Sequence, residues 1–129
     1  MDGEERQIFS REDLSELARF ELARDGARSD GSQVRYAGDP SWRILLELYC
    51  MEVGRHKIQS TYLISQSGLS HATGTRWLSL LRDAGLITRQ RIEGDQRSKF
   101  VELTPEGYRK VENYLEAIRL LIRSLELDT

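Results

Sequence analysis

The stretch Lys57–Leu103, KIQSTYLISQSGLSHATGTRWLSLLRDAGLITRQRIEGDQRSKFVEL, decides the fold. Ile58 reads as a strand of one or two residues. Ser60 is placed to N-cap a short helix, Thr61–Gln66, with Leu63 and Ile64 toward a core. Ser67-Gly68 turns the chain and Leu69 plugs the turn. Ser70 caps a second helix, from His71 to about Ala84. Gly85 suits the left-handed residue that ends a helix, with Leu86 as the apolar contact after it. Ile87–Ile92 and Lys99–Leu103 then read as antiparallel strands about the turn-forming tip EGDQRS. Two helices joined by a Gly-containing turn and followed by a hairpin are in the order of a winged helix-turn-helix, which sets its second helix into the major groove of DNA. The expected fold class is mainly α with a small antiparallel β-hairpin, a winged helix-turn-helix with flanking dimerisation helices.

On a helical wheel, the second helix sends Gly74, Trp77, Leu78 and Leu81 to one side, which packs inward. Ala72, Thr75, Arg76 and Ser79 fall opposite. Short hydroxyl side chains reach phosphates or base edges, Ala and Thr methyls touch the thymine methyl, and Arg bridges guanine O6 and N7. Arg76 is the first choice for readout. Its competing role is a surface ion pair with Asp83 or another acid. His71, in the first turn, is a further candidate phosphate donor, and Trp77 is read as core. Gly74 stands where a helix interior loses about 1 kcal/mol relative to Ala, which suggests close approach of the preceding helix.

In the wing, residues 92–99 and their flanks, Arg89 and Arg91 are two apart, as are Arg97 and Lys99. Each pair therefore projects to one side of its strand. Asp95 is placed to orient the Arg97 guanidinium, which suits a narrow minor groove and its phosphates. A charged hairpin that resists edge-to-edge association has the same composition.

Working outward, Ser10 with Asp13 resembles an N-cap for a helix from about Arg11 to Ala23, with Leu14, Leu17, Ala18 and Phe20 or Leu22 toward apolar surface. RDGARSDGSQVRYAG, residues 24–38, reads as a linker anchored by Val34 and Tyr36. Asp39-Pro40 opens a strongly apolar, mostly buried helix to about Val53. Thr104-Pro105 opens a last helix that reaches Leu125. Tyr108, Val111, Leu115, Ile118, Ile122 and Leu125 recur in it at the spacing of a coiled-coil seam, and we read them as dimerisation residues. The organisation expected is an N-terminal helix and flexible linker or arm (1–38), a DNA-binding winged core (39–104) and a C-terminal dimerisation helix (105–129).

The net charge of −2 over 129 residues is unsuited to DNA until it is divided along the chain. Residues 1–54 hold 7 basic and 12 acidic side chains, a net −5, and residues 100–129 hold 4 and 6, a net −2. Residues 55–99 hold 8 basic and 3 acidic, a net +5. Phosphate attraction follows that local field and not the total. No signal peptide or run of membrane length is visible, which points to the cytoplasm. The single Cys50 lies in an apolar helix. His56 and His71 are isolated, and no Gly-rich phosphate loop or metal-ligand spacing occurs, so neither an enzyme nor a cofactor is expected.

From about Trp42 to Leu115 the chain resembles the MarR family of winged helix regulators. The residues that carry the resemblance are WRILLELY, SGLSHATGTRWLSLLRDAGLITR and GDQRSKFVELTPEGYRKV, above all Asp95-Gln96-Arg97 followed by Val101-Glu102-Leu103-Thr104-Pro105-Glu106-Gly107. The resemblance implies a homodimer on double-stranded DNA, reading a roughly palindromic site. Ser70, Thr73, Thr75 and Arg76 would be recognition-helix contacts and Arg97 the wing contact. Gly74 departs from the aliphatic residue usual at its position, and the amino-terminal part is shorter and more linker-like. The competing readings are a winged helix that binds another protein and a sensor of a small-molecule effector of unknown identity.

Overall fold

A computed structural model of the chain describes residues 9–28, 40–54, 57–92 and 95–127, the side chains of 25–28, 92, 95–98 and 127 excepted. The elements are α1 (Arg11–Arg28), α2 (Pro40–Gly54), β1 (Ile58–Gln59), α3 (Ser60–Gln66), α4 (His71–Asp83), β2 (Ile87–Ile92), β3 (Asp95–Leu103) and α5 (Pro105–Leu127). The fold is mainly helical, with one three-stranded antiparallel sheet in the order β1-β3-β2. The short strand at Ile58 does meet the wing, as Ile58 pairs with Val101 and Gln59 with Phe100.

Helix α2 lies at the centre because it is apolar almost all round. Its Ile44, Leu45, Leu46, Leu48 and Tyr49 are buried. They meet Leu63, Leu78, Ile87, Val101, Val111 and Leu115 from the surrounding elements. Each aliphatic side chain stabilises the fold by roughly 1.5–3 kcal/mol when buried, so no other arrangement of α2 competes. Cys50 belongs to this packing: its thiol donates to the Ser15 carbonyl at 3.7 Å, and burial pushes its pKa up to about 11. It therefore stays a protonated core thiol.

Helix starts and stops follow local chemistry. The Ser10 hydroxyl accepts the Asp13 N–H at 3.1 Å, and the Ser70 hydroxyl accepts the Thr73 N–H at 3.2 Å, satisfying amides that the first turn leaves open. Gly85 ends α4 with φ +81°, where its N–H donates to Arg82 O and the Leu86 N–H to Leu81 O. That pair of bonds is the Schellman closure, and it needs a residue without a Cβ penalty in the left-handed region.

Three expectations need correction. Helix α1 continues to Arg28, so the linker does not begin at Arg24. Arg24 pairs with Glu21 at 2.7 Å, and one glycine, Gly26, costs too little to stop a helix already docked on α2. Val34 and Tyr36 lie outside the described residues. Ser60 is not the cap of α3 but its first residue, buried; the cap position falls to Gln59, which pairing with Phe100 holds extended at φ −77° and ψ 140°, with no side-chain cap bond. Strand β3 begins at Asp95, not Lys99. Ile92 pairs with Asp95 and Arg91 with Lys99, so a bulge on β3 absorbs residues 96–98 and only 93–94 separate the strands. Along α1, Leu14, Leu17 and Ala18 are buried and Leu22 packs on the core, while Phe20 stays 60% exposed.

Gly74 is explained by the approach of α3. A Cβ there would press into the Ile64 side chain, 2.7 Å from Cγ1. Gly74→Ala is expected to destabilise by about 1–2 kcal/mol, the overpacking cost less the helix-propensity gain. Adding Ile64→Val should recover part of the loss in urea unfolding. An equal loss in both backgrounds would show that Ile64 is not the obstacle.

Candidate nucleic-acid interface

Helix α4 is held by its inner face. Gly74, Leu78 and Leu81 are buried beneath it and Trp77 packs against the core. Ala72, Thr73 and Arg76 stand exposed on the other side, with His71 at the amino-terminal end. Thr75 and Ser79 are half-buried at the edge of that face. Ser70 is exposed, and its hydroxyl already accepts the Thr73 amide, leaving its own O–H as a donor. Arg76 does not pair with Asp83. That acid faces Arg82 at 3.5 Å, and Arg76 makes no ion pair with any described residue.

The sheet register orders the basic residues of the wing. Ile87 pairs with Leu103, Arg89 with Val101 and Arg91 with Lys99. Directly opposed residues share a face, and Ile87, Val101 and Leu103 are buried. Arg89, Arg91 and Lys99 therefore continue the inner face of the sheet outward past the core. Arg89 is half-buried, and its Nε is enclosed without a hydrogen-bond partner among the described residues. Desolvation, and secondarily the charge of Arg82, hold its pKa below the ordinary arginine value. Arg91 is exposed and stands directly across the strands from Lys99. Like charges directly opposed weaken a sheet by a few tenths of a kcal/mol, and an anion bound between them would reverse the sign. The side chains of Asp95 and Arg97 lie outside the described residues.

Two residues of this surface escaped the sequence reading. Leu80, 49% exposed, sits one turn beyond Arg76 on α4. Arg82 is exposed and close enough to Arg89 for their charges to interact. The 3.6-residue period carries both positions, but it does not show that β2 comes back beside the end of α4.

The described part of the seam on α5 divides in two. Val111 and Leu115 are buried within this protomer, and Tyr108 gives its hydroxyl to Glu52 at 2.6 Å. Val111 and Leu115 thus cannot face a second copy directly, because the first half of α5 lies on α2. Ile118 and Ile122 pack at the edge of the core, and Leu121 and Leu125 are 62% and 68% exposed. A cleft of about 460 Å³ opens beside the first half of α5, walled by Arg11, Tyr108, Glu112 and Asn113. Glu112 accepts hydrogen bonds from Arg11 Nε at 2.7 Å and Tyr49 Oη at 2.9 Å. Among the described residues, no helix is long and apolar enough to cross a membrane.

Residues 39–99 match the family model described as MarR family. No curated protein sequence matches the chain. Solved structures of similar fold include S. aureus MepR in its DNA-binding conformation, at 18% identity and TM-score 0.56 over 94% of this chain and 85% of that one. The PcaV transcriptional regulator of Streptomyces coelicolor in complex with its natural ligand is 22% identical, with TM-score 0.53 over 85% of this chain and 74% of that one. The transcriptional regulator BldR of Sulfolobus solfataricus is 19% identical, with TM-score 0.53 over 92% and 80%. At such identities these neighbours speak to the fold, and the family match speaks to the segment that builds the surface of α4 and the wing. Residues 39–99 thus match the MarR family of transcriptional regulators, and the chain shares the winged helix-turn-helix fold of its solved neighbours.

Proposed function

We propose that the protein binds a specific double-stranded DNA site as a homodimer, with α4 in the major groove and the wing, 92–99, at the minor groove. The supporting observation is that Arg76, Arg91 and Lys99 stand on adjoining surfaces with no carboxylate partner among the described residues. Arg11, Arg24 and Arg109, elsewhere in the chain, do have one. Unneutralised cations on a net-positive segment keep their full attraction for phosphate. Arg76 reads a base edge, Ala72 and Thr73 contact thymine methyl or phosphate, Ser70, His71, Thr75 and Ser79 line the helix edge, and Arg89, Arg91, Arg97 and Lys99 hold the backbone at the wing. Residues 39–104 form the DNA-binding unit. The second half of α5, with Phe20 of α1, forms the contact between copies.

The test is selection of bound fragments from the source genome, followed by titration of one selected duplex. Arg76→Ala and Arg97→Ala should each weaken binding by about 1–3 kcal/mol, roughly 5- to 150-fold, with the sedimentation of the free protein unchanged. The logarithm of the affinity should fall linearly with log salt, with a slope near −0.9 per phosphate contact. Binding insensitive to salt, or a selection that enriches no duplex, would sink the DNA reading.

A second reading adds an effector. The cleft at Arg11 and Glu112 joins α1 to α5, and the PcaV neighbour was solved with its natural ligand. A ligand that occupied the cleft would compete with Glu112 for Arg11. The same titration, repeated with small aromatic acids present, tests it.

A further inference from the structure

Glu52 has a place in the fold that neither core packing nor DNA contact accounts for. It lies on the last turn of α2, half-buried. One carboxylate oxygen, Oε2, accepts the backbone N–H of Leu103 at 2.7 Å, and the other, Oε1, accepts the Tyr108 hydroxyl at 2.6 Å. Leu103 is the last residue of β3, the inner strand of the wing, and Tyr108 lies in the first turn of α5.

Among the described residues the Leu103 amide has no strand partner, and the register says why. Leu103 pairs with Ile87, and the next amide, Thr104 N–H, donates to Leu86 O at 3.0 Å. That is the pattern of a non-hydrogen-bonded antiparallel pair, so the Leu103 N–H points away from β2. It points to the edge that β1 covers only as far as Ile58, opposite Val101. At that edge the Glu52 carboxylate accepts the Leu103 amide. The wing root is thereby fixed at two points, by Thr104 against the end of α4 and by Glu52 against the end of α2.

Leverage makes that second point matter. Asp95 pairs with Ile92, five residues along β2 from the partner of Leu103, and so lies about 17 Å from the root. A tilt of about 5° at the root displaces the tip by roughly 1.5 Å, enough to break a hydrogen bond at a fixed groove. We propose that Glu52 is a positioning residue for DNA binding, setting the angle at which the wing leaves the body of the protein. The inference rests on the wing contact of the proposed function. It adds that the contact depends on a carboxylate that never touches DNA.

A double-mutant cycle on the full-length chain and one selected duplex tests this. Glu52→Gln keeps the size but removes the charge and one of the two acceptor oxygens, so the Tyr108 hydroxyl can no longer donate there and both hydrogen bonds lose their charge assistance. It should lower affinity about tenfold, and adding Arg97→Ala should lower it little further, since a misaimed wing has already lost that contact. Adding Arg76→Ala should multiply the two losses, as α4 is held independently. A purely structural role lowers the unfolding midpoint without making the Arg97 effect vanish. If Glu52→Gln does not fold, Tyr108→Phe removes one hydrogen bond and spares the Leu103 amide; about a threefold loss, again not multiplied by Arg97→Ala, is then expected. Losses that multiply fully, or folded variants with unchanged affinity, overturn the inference alone. An Arg97→Ala protein of unchanged affinity overturns the wing contact itself.

Discussion

Replacing Leu121 and Leu125 together by glutamate is expected to leave the protomer folded, abolish the dimer and lower affinity for a two-half-site duplex by about 10²–10⁴-fold. In this protomer both side chains are mostly solvent-exposed, 62% and 68%, so the substitution removes little packing from the fold. In a dimer it would place four carboxylates in one apolar seam. Burying such charges without partners costs several kcal/mol per ion, more than a seam of this length regains. The affinity loss follows from linkage. Two recognition helices on one body make the second half-site contact intramolecular, and that advantage amounts to about 10²–10⁴ without any added contact. Sedimentation velocity and titration against single and paired half-sites measure it. A variant that stays dimeric would move the interface off α5. A monomer that binds the paired site as tightly as the parent would show that pairing contributes nothing to affinity.

The largest loss of stability is expected from Gly107→Ala, about 3 kcal/mol. The Cβ would run into the backbone carbonyl oxygen of Leu86 and would stand 3.0 Å from Leu103 Cδ2. The Leu86 carbonyl cannot move aside. It accepts the Thr104 N–H at 3.0 Å, while the Thr104 hydroxyl donates to Gly85 O at 2.7 Å and accepts the Gly107 N–H at 3.0 Å. Relieving the clash means lifting α5 off the end of α4, which breaks these bonds together. At Gly74 the obstacle is the Ile64 side chain, which can rotate, so the two alanines should rank clearly apart. Urea unfolding at one fixed protein concentration gives the comparison, since association would shift the midpoint. Equal midpoints for the two variants would show that the α4–α5 junction is softer than its hydrogen bonds imply.

The site was legible to different depths. The period of α4 assigned Arg76 outward and Leu78 and Leu81 inward because a helix repeats every 3.6 residues whatever surrounds it. Alternation placed Arg89, Arg91 and Lys99 on one side of their strands, but not on which side of the sheet. That depended on Val101 lying opposite Arg89, a matter of register between strands. Phe20 and Leu22 were equivalent by pattern, and packing on α2 chose Leu22. The seam of α5 looked uniform, yet its first half is spent on α2 and only its second half is free for a partner.

By itself the sequence determined those element ends that local hydrogen bonds fix, but not the end of α1, the start of α3 or the start of β3. Ser10, Ser70 and Thr104 cap helices through their own hydroxyls, and Gly85 closes α4 by taking a backbone conformation that other residues resist. Those interactions span three or four residues, so the order of letters carries them. Gly74 already suggested in the sequence a close approach of α3, but only the tertiary structure decided which atom it meets and what Gly107 and Glu52 do. Each answers to an atom far along the chain or across a helix turn, Ile64, the Leu86 carbonyl and the Leu103 amide. No periodicity encodes such a meeting, because it exists only once α2, α4, α5 and the wing have been brought together by burial of the core.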